Sequence, residues 1–232
     1  MSVRSIHQFA EKVALISDAA NPVGRAVAIQ LALNGSYVIG LFQSDGGSVE
    51  ELVELGTLAH AVKADPSTFS GASEAAASVE NIFGSLDLLV NCLKFRTEST
   101  FEDVTESGYL DTFNRNLGSA YFLSGAVHKL MKGRPKPKIV NLVSADDRLD
   151  DPLFAASQAG IIGLTRSMAG ALPKNFRVNC VEVGGSEAAK MGDEGLMLRS
   201  DGSVAADDIA RTVLFLLSSE SAGINGQVIK LG

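Results

Sequence analysis

The chain has 232 residues, of which 46% are hydrophobic and 20% are charged, and its formal net charge is -7. This length and apolar content suffice for one large core, whereas the negative charge argues against a nucleic-acid surface or a patch for anionic membranes. The apolar runs are only as long as strands, and residues 1–11 lack the apolar stretch of a signal peptide. We therefore expect a cytoplasmic protein without a membrane segment.

The two cysteines, Cys92 and Cys180, both lie in apolar, strand-like segments. A free cysteine in such surroundings usually behaves as a small buried hydrophobe. We therefore predict buried structural thiols, with neither a disulfide nor a metal site.

Short apolar runs alternate with helical patterns along the chain. Strands are expected at Val13–Ile16, Ser36–Phe42, Leu58–Lys63, Leu86–Asn91, Ile139–Val143 and Val178–Val183, with a last strand near the C-terminus. Helices are expected after the first strand and at about Thr68–Phe83, Glu106–Met131, Ala155–Ala171 and Ile209–Leu217. No linker or repeat divides residues 1–232, and the doubly wound α/β fold commonly fills this length as one domain.

The stretch from Lys138 to Leu172 combines a strand, a polar loop and a long helix rich in small residues. Its strand has no solvated face, which favours burial on both sides of a sheet. Ser144 ends that strand. The helix places alanines and glycines where another helix could approach closely.

Several segments of the chain resemble the short-chain dehydrogenase/reductase family. The similar segments are V-N-L-V-S at 140–144, A-G-I-I-G-L-T-R-S-M-A at 159–169, L-D-L-L-V-N at 86–91, N-L-G-S-A-Y at 116–121 and the last eighteen residues. The resemblance covers nearly the whole chain. Within the family, the chain resembles the β-ketoacyl-acyl-carrier-protein reductase-like branch. It implies a Rossmann-like doubly wound parallel sheet with helices on both faces.

The same resemblance implies that the catalytic residues are missing. The family's Tyr-x-x-x-Lys pair, which transfers a proton while a hydride moves, falls on Phe154 and Gln158. The family's serine corresponds to Ser144, and its active-site asparagine corresponds to Asn116. Because Phe154 has no ionisable proton and Gln158 has no charge, we expect none of these four positions to be catalytically functional.

The family's glycine-rich cofactor loop, T-G-x-x-x-G-x-G, is also altered. Aligned on Gly24, its first glycine becomes Asp18 and its second becomes Pro22. Asp18 would repel a pyrophosphate, and Pro22 removes an N–H from the turn. Asn21 and Pro22 also suit an N-cap and a first helical residue, which is a purely structural role.

Four further positions bear on the cofactor. Gln43, at the end of the second strand, indicates neither NAD nor NADP, and Asp65 suits either the family's adenine contact or a turn. Asn91 matches the family, but the glycine three residues later is Lys94. Lys94 could attract a phosphate or pair with Asp18, and we favour the pair. We expect no cofactor on this chain, although a partner subunit could carry NAD(P).

Three functions follow from this pattern. The first is a non-catalytic, structural subunit of a hetero-oligomeric NAD(P)-dependent dehydrogenase or reductase. Its intact partner would bind through the long central helices and the C-terminal helix and strand, as the resemblance implies. The second is a divergent oxidoreductase that uses a substitute acid or base from Asp146, Asp147, Asp150 or Asp151. The third is a small-molecule sensor that uses the emptied cofactor pocket.

Overall fold

The computed structural model describes residues 8–43, 54, 58–92, 95–96, 100–145, 151–184 and 204–232. Its strands are β1 (Val13–Ile16), β2 (Tyr37–Phe42), β3 (Ala59–Lys63), β4 (Leu88–Asn91), β5 (Lys138–Ser144), β6 (Arg177–Val183) and β7 (Val228–Leu231). They form one sheet in the order β3-β2-β1-β4-β5-β6-β7, and every neighbouring pair is parallel. The predicted α/β fold with one parallel sheet is therefore confirmed.

The helices that connect these strands lie on both faces of the sheet. They are α1 (Pro22–Leu33), α2 (Phe69–Phe83), α3 (Glu106–Phe113), α4 (Ser119–Met131), α5 (Pro152–Ala171) and α6 (Ala206–Leu217). A π turn, Asn114–Gly118, joins α3 to α4. Among the described residues, none of the helices combines the length and the apolarity needed to cross a membrane.

The strands are apolar because each one contributes to two cores. In β1, Val13 and Leu15 pack in the cluster that contains residues of α2 and α4. Ala14 and Ile16 pack in the cluster that contains residues of α1 and α6. Successive side chains of a strand point to opposite faces, so a strand covered on both sides needs a continuous apolar run.

Three predicted helices differ from those observed, and one of them, predicted at Ile209–Leu217, begins at Ala206. The segment predicted to contain a long helix, Glu106–Met131, is helical throughout, but the π turn forms its middle. The helix predicted to begin at Ala155 begins at Pro152 instead. Asp151 explains the earlier start, since its carboxylate accepts the N–H of Phe154 at 2.9 Å and so caps the first turn.

Asp87, whose side chain is fully buried, lies at the end of the sheet where β1 and β4 begin. Arg134 donates two hydrogen bonds to its carboxylate at 2.9 and 2.8 Å, Lys12 donates one at 3.0 Å, and the Val13 N–H donates one at 3.1 Å. Burial alone would raise the pKa of Asp87, but the hydrogen bonds from Arg134, Val13 and Lys12 outweigh burial. The pKa therefore lies below its usual value of 3.8.

A buried lysine lies at the same end of the sheet. The ammonium group of Lys138 donates to the carbonyl oxygens of Leu216 and Ser218, where α6 ends, and to the Ser221 hydroxyl. Burial, together with the nearby cations of Arg177 and Lys136, lowers the pKa of Lys138 to about 8. Lys138 lies at the start of β5, at the opposite end of that strand from Ser144. Its contacts satisfy the carbonyl groups at the end of α6.

Candidate functional site

The carboxyl ends of β1 and β4 form the point where the strand order reverses. The chain moves outward from β1 through β2 to β3, and then returns to place β4 on the other side of β1. The Cys92 N–H donates to the Ser17 hydroxyl at 2.9 Å across this point. In open α/β sheets, ligands bind in the crevice outside such a point.

The turn between β1 and α1 is tied together by Asn21. The side-chain amide of Asn21 donates to the Asp18 carbonyl at 2.9 Å and to the Cys92 carbonyl at 3.3 Å. Its side-chain oxygen accepts the Gly24 N–H at 2.8 Å. Asn21 therefore caps α1 and also fastens the turn to the end of β4.

Few backbone donors remain at the start of α1. Pro22, the first helical residue, has no N–H, and the N–H of Gly24 is bound to Asn21. Within the described part of the chain, Val23 is the residue of this first turn whose N–H has no hydrogen-bond partner. The Asp18 carboxylate accepts the Ala20 N–H at 3.1 Å, so it lies in the same turn. A helix start binds anions through free N–H groups, and this one has largely used them.

Gly24 allows the turn to lie against the helix. A Cβ atom at this position would lie 1.9 Å from the Asp18 carbonyl oxygen and 3.0 Å from the Cys92 sulfur. The Cys92 thiol is buried, and its burial, with the Asp18 carboxylate nearby, raises its pKa to about 12. Cys180 is buried and free as well, so the prediction that both cysteines are buried is confirmed.

Gln43 and Asp65 lie at the carboxyl ends of β2 and β3 and bind each other. The side-chain amide of Gln43 donates to the Asp65 carboxylate at 3.1 Å, and the Ser67 N–H donates to the same oxygen at 3.0 Å. On the other side, Arg115 donates to the side-chain oxygen of Gln43 at 3.4 Å. The turn interpretation of Asp65 therefore describes its observed contacts.

Asn91 belongs to a buried polar chain that crosses the sheet. Its amide donates to Asn141 at 2.8 Å and to Ser124 at 3.2 Å, and Asn141 donates to Thr165 at 2.8 Å. These contacts link β4 and β5 to α4 and α5. Asn91 also lines a cavity of about 10 Å³, roughly the size of one water. Its side-chain oxygen is without a hydrogen-bond partner among the described residues.

Asn116 lies in the π turn and is 1% exposed. Its amide donates to the Phe95 carbonyl at 2.8 Å and to the Ser157 hydroxyl at 3.0 Å. Its side-chain oxygen accepts the Phe95 N–H at 2.8 Å. Both ends of this side chain are therefore used to hold the segment after β4 against α5.

Phe154 lies in the first turn of α5 and is fully buried. The guanidinium carbon of Arg96 lies 4.0 Å from the centre of its ring, which is cation–π distance. The backbone of Phe154 is also engaged, since its N–H binds Asp151 and its carbonyl accepts the Ser157 hydroxyl at 2.7 Å. Its ring offers packing and a negative π face, but no proton.

Gln158 binds the end of β5. Its side-chain oxygen accepts the Ser144 N–H at 3.0 Å, and the side chain is almost fully buried. An ammonium group has no acceptor, so a lysine at position 158 would leave the Ser144 N–H without this partner. The glutamine therefore has a structural role that a lysine could not fill.

Several predicted site residues lie outside the described residues. They are Lys94, whose pairing with Asp18 therefore stays a prediction, and Asp146, Asp147 and Asp150 of the acidic loop. Asp151, the fourth aspartate, is the N-cap of α5. Across the described residues, three or more His, Cys, Asp and Glu side chains nowhere come together as metal ligands.

An apolar cavity of about 300 Å³ lies between α3 and the start of α5. Its lining residues are Thr100, Phe101, Val104, Tyr109, Phe113, Asp151, Pro152, Leu153 and Ala156. Phe101 is 75% exposed, and the rings of Tyr109 and Phe113 lie 4.8 Å apart. Sequence reasoning did not predict this cavity, although the spacing of Phe101, Tyr109 and Phe113 was visible.

Comparison with known proteins agrees with the fold. A family profile described as enoyl-(acyl carrier protein) reductase matches residues 19–231. Hydroxynaphthalene reductase-like protein Arp2 of Metarhizium acridum is 30% identical, with 96% of this chain and 94% of that protein covered. The 3-oxoacyl-(acyl-carrier-protein) reductase FabG of Vibrio harveyi is 27% identical, with 94% of each covered.

Two solved structures share the same architecture. A short chain dehydrogenase from Mycobacterium smegmatis superposes with a TM-score of 0.83 at 23% identity, covering 100% of this chain and 96% of the other. A short-chain dehydrogenase/reductase from Brucella melitensis gives a TM-score of 0.86 at 20% identity, covering 97% and 96%. With the profile match and the 30% identical relative, these findings show that the chain belongs to the short-chain dehydrogenase/reductase family.

Proposed function

We propose that this chain is a non-catalytic subunit of a hetero-oligomeric NAD(P)-dependent dehydrogenase or reductase. In that assembly, a catalytically intact member of the family carries out the reaction. The observation that carries the proposal is the structural use of Phe154 and Gln158. One is a buried ring under Arg96, and the other binds the end of β5.

The missing groups are the ones that proton transfer requires. General acid–base catalysis contributes about two to four orders of magnitude in rate, and electrostatic stabilisation of a developing charge contributes a comparable amount. A phenyl ring provides neither effect, and a neutral amide neither exchanges a proton with the substrate nor supplies the positive charge of a lysine. Ser144 does not replace them, because a serine needs an adjacent base to act as a nucleophile.

The turn at the start of α1 does not fit a dinucleotide. Pro22 provides no donor, Asn21 holds the Gly24 N–H, and the Asp18 carboxylate lies in the same turn. Two charges of like sign about 4 Å apart repel by roughly 4 kcal/mol at an effective dielectric near 20. Pyrophosphate binding would therefore lose attraction and gain repulsion at the same place.

The surface of α5 supports a role in assembly. Its exposed face carries Ala155, Ala156, Ala159 and Gly163, and small residues let a second helix approach closely. The apolar cavity of about 300 Å³ begins next to this face, at Pro152 and Ala156. Together they provide a surface of small residues against which a partner helix can pack, with an apolar pocket beside it.

The test is co-purification of the tagged chain from its own cells. We expect it to recover a family member that retains the tyrosine and the lysine. Ala159→Arg should reduce that recovery at least tenfold, because the side chain would occupy the space of the partner helix. Ala77→Arg, at a position on α2 that is also exposed, is the matched control and should leave recovery unchanged.

Two results would contradict the proposed subunit role. One is a stable homo-oligomer from cells that contain every candidate partner. The other is turnover by the purified chain that is lost when an aspartate of the acidic loop is changed to asparagine. The second result would favour a divergent enzyme instead. Thermal unfolding of each variant checks that the fold is intact before recovery is compared.

A further inference from the structure

A chain of side-chain contacts crosses the nucleoside half of the crevice. Asp65 binds Gln43 at 3.1 Å, and Gln43 binds Arg115 at 3.4 Å, at the long end of the hydrogen-bond range. Gln43 and Asp65 follow β2 and β3, the strands on the side where a dinucleotide places its first ribose. Both polar ends of the Gln43 amide are therefore engaged within the protein.

Arg115 is held at its other side by an aromatic ring. Its guanidinium carbon lies 4.1 Å from the centre of the Phe95 ring. Phe95 is itself fixed, because Asn116 binds both its N–H and its carbonyl at 2.8 Å. The guanidinium thus lies over the ring of a residue whose backbone is held, and it also donates to a side-chain amide. A base and its ribose would make the same two kinds of contact, one with the face of an aromatic ring and one with a hydrogen-bonding amide.

We infer that Arg115 is an internal occupant of the nucleoside half of the crevice and closes it to a purine nucleoside. A nucleoside can bind there only after the guanidinium leaves the Phe95 ring and the Gln43 amide. This inference is separate from the proposed subunit role, because it concerns ligand binding by the isolated chain and does not involve a partner subunit.

The test is titration of the isolated chain with adenosine, followed by calorimetry or by chemical shifts. Arg115→Ala should bind adenosine at least tenfold more tightly than the wild-type protein, a difference of about 1.4 kcal/mol. Arg211→Ala is the matched control, since Arg211 is on α6 and pairs with Asp208. Its adenosine affinity should equal that of the wild type.

A second variant keeps the inference testable if Arg115→Ala does not fold. Gln43→Ala removes the amide that holds Arg115 and should also tighten adenosine binding. Equal affinity in the wild type and in every folded variant would overturn the inference, as would micromolar binding by the wild type. Adenosine lacks the pyrophosphate, so its binding does not depend on Asp18. Failure here therefore leaves the co-purification test untouched.

Discussion

Replacement of Asp87 by Ala is expected to lower the free energy of unfolding by about 3–5 kcal/mol. The carboxylate is fully buried and joins three parts of the fold: Lys12 before β1, the backbone at Val13, and Arg134 after α4. Its loss leaves the Val13 N–H and two cations without their acceptor. Asp87→Asn keeps the shape and should cost less, about 2–3 kcal/mol, because the hydrogen bonds lose their charge. Urea unfolding at neutral pH measures both effects.

The control for this prediction is Arg211→Ala. It removes an exposed ion pair with Asp208 and should change stability by about 0–1 kcal/mol. The acid dependence provides a second check. Because the pKa of Asp87 is lower in the folded state, its contribution is complete above pH 3.8 and is lost as the pH falls below that value. The stability gap between the wild type and Asp87→Asn should therefore narrow in acid; a constant gap would contradict the assignment.

Gly24→Ala is expected to cost about 3 kcal/mol or more, or to prevent folding. The added methyl group would lie 1.9 Å from the backbone oxygen of Asp18, and a backbone atom cannot move aside as a flexible side chain can. The whole turn between β1 and α1 would have to shift, which is at the upper end of the usual cost of overpacking. The midpoint of urea unfolding measures the loss.

The matched control is Gly163→Ala, in the middle of α5. Its added methyl group would meet nothing within 4 Å. We expect a gain of about 0.5–1 kcal/mol, since alanine loses less backbone entropy than glycine in a helix. If Gly24→Ala proved as stable as Gly163→Ala, the close approach of the turn to the helix would be wrong.

The strands of the sheet were predictable from the sequence because burial on both faces demands uninterrupted apolar runs. Val13–Ile16 was predicted to the residue, and the strand predicted at Ile139–Val143 is one residue longer at each end. The doubly wound parallel arrangement of the strands was implied by the resemblance to a known family, and their order is seen in the structure. Apolar patterning by itself does not determine which strands are neighbours.

Contacts between distant residues could not be predicted in the same way. Arg115 and Gln43 are 72 positions apart, and their contact depends on how the π turn orients the helix. The sequence also gave no reason to single out Gly71, where a Cβ would lie 2.0 Å from the Asp65 carbonyl. Both features arise from the packing of loops over strand ends, which follows no sequence period.

The two substituted positions of the candidate site could be identified from the sequence, but the contacts made there could not. Reading Phe154 and Gln158 at the positions of a tyrosine and a lysine required only the motif. The contacts that these residues make could not be predicted from the motif. Arg96 lies over the Phe154 ring, and the Ser144 N–H donates to the amide oxygen of Gln158. Such contacts are set by tertiary geometry, because a glutamine in a helix can bind in many directions.

Calorimetric titration of the purified chain with NADH and NADPH tests the central claim most directly. If the turn at Asp18 and Pro22 does not bind a pyrophosphate, the dissociation constant of each nucleotide will be in the millimolar range or weaker. Saturable binding of either one in the micromolar range would contradict the account.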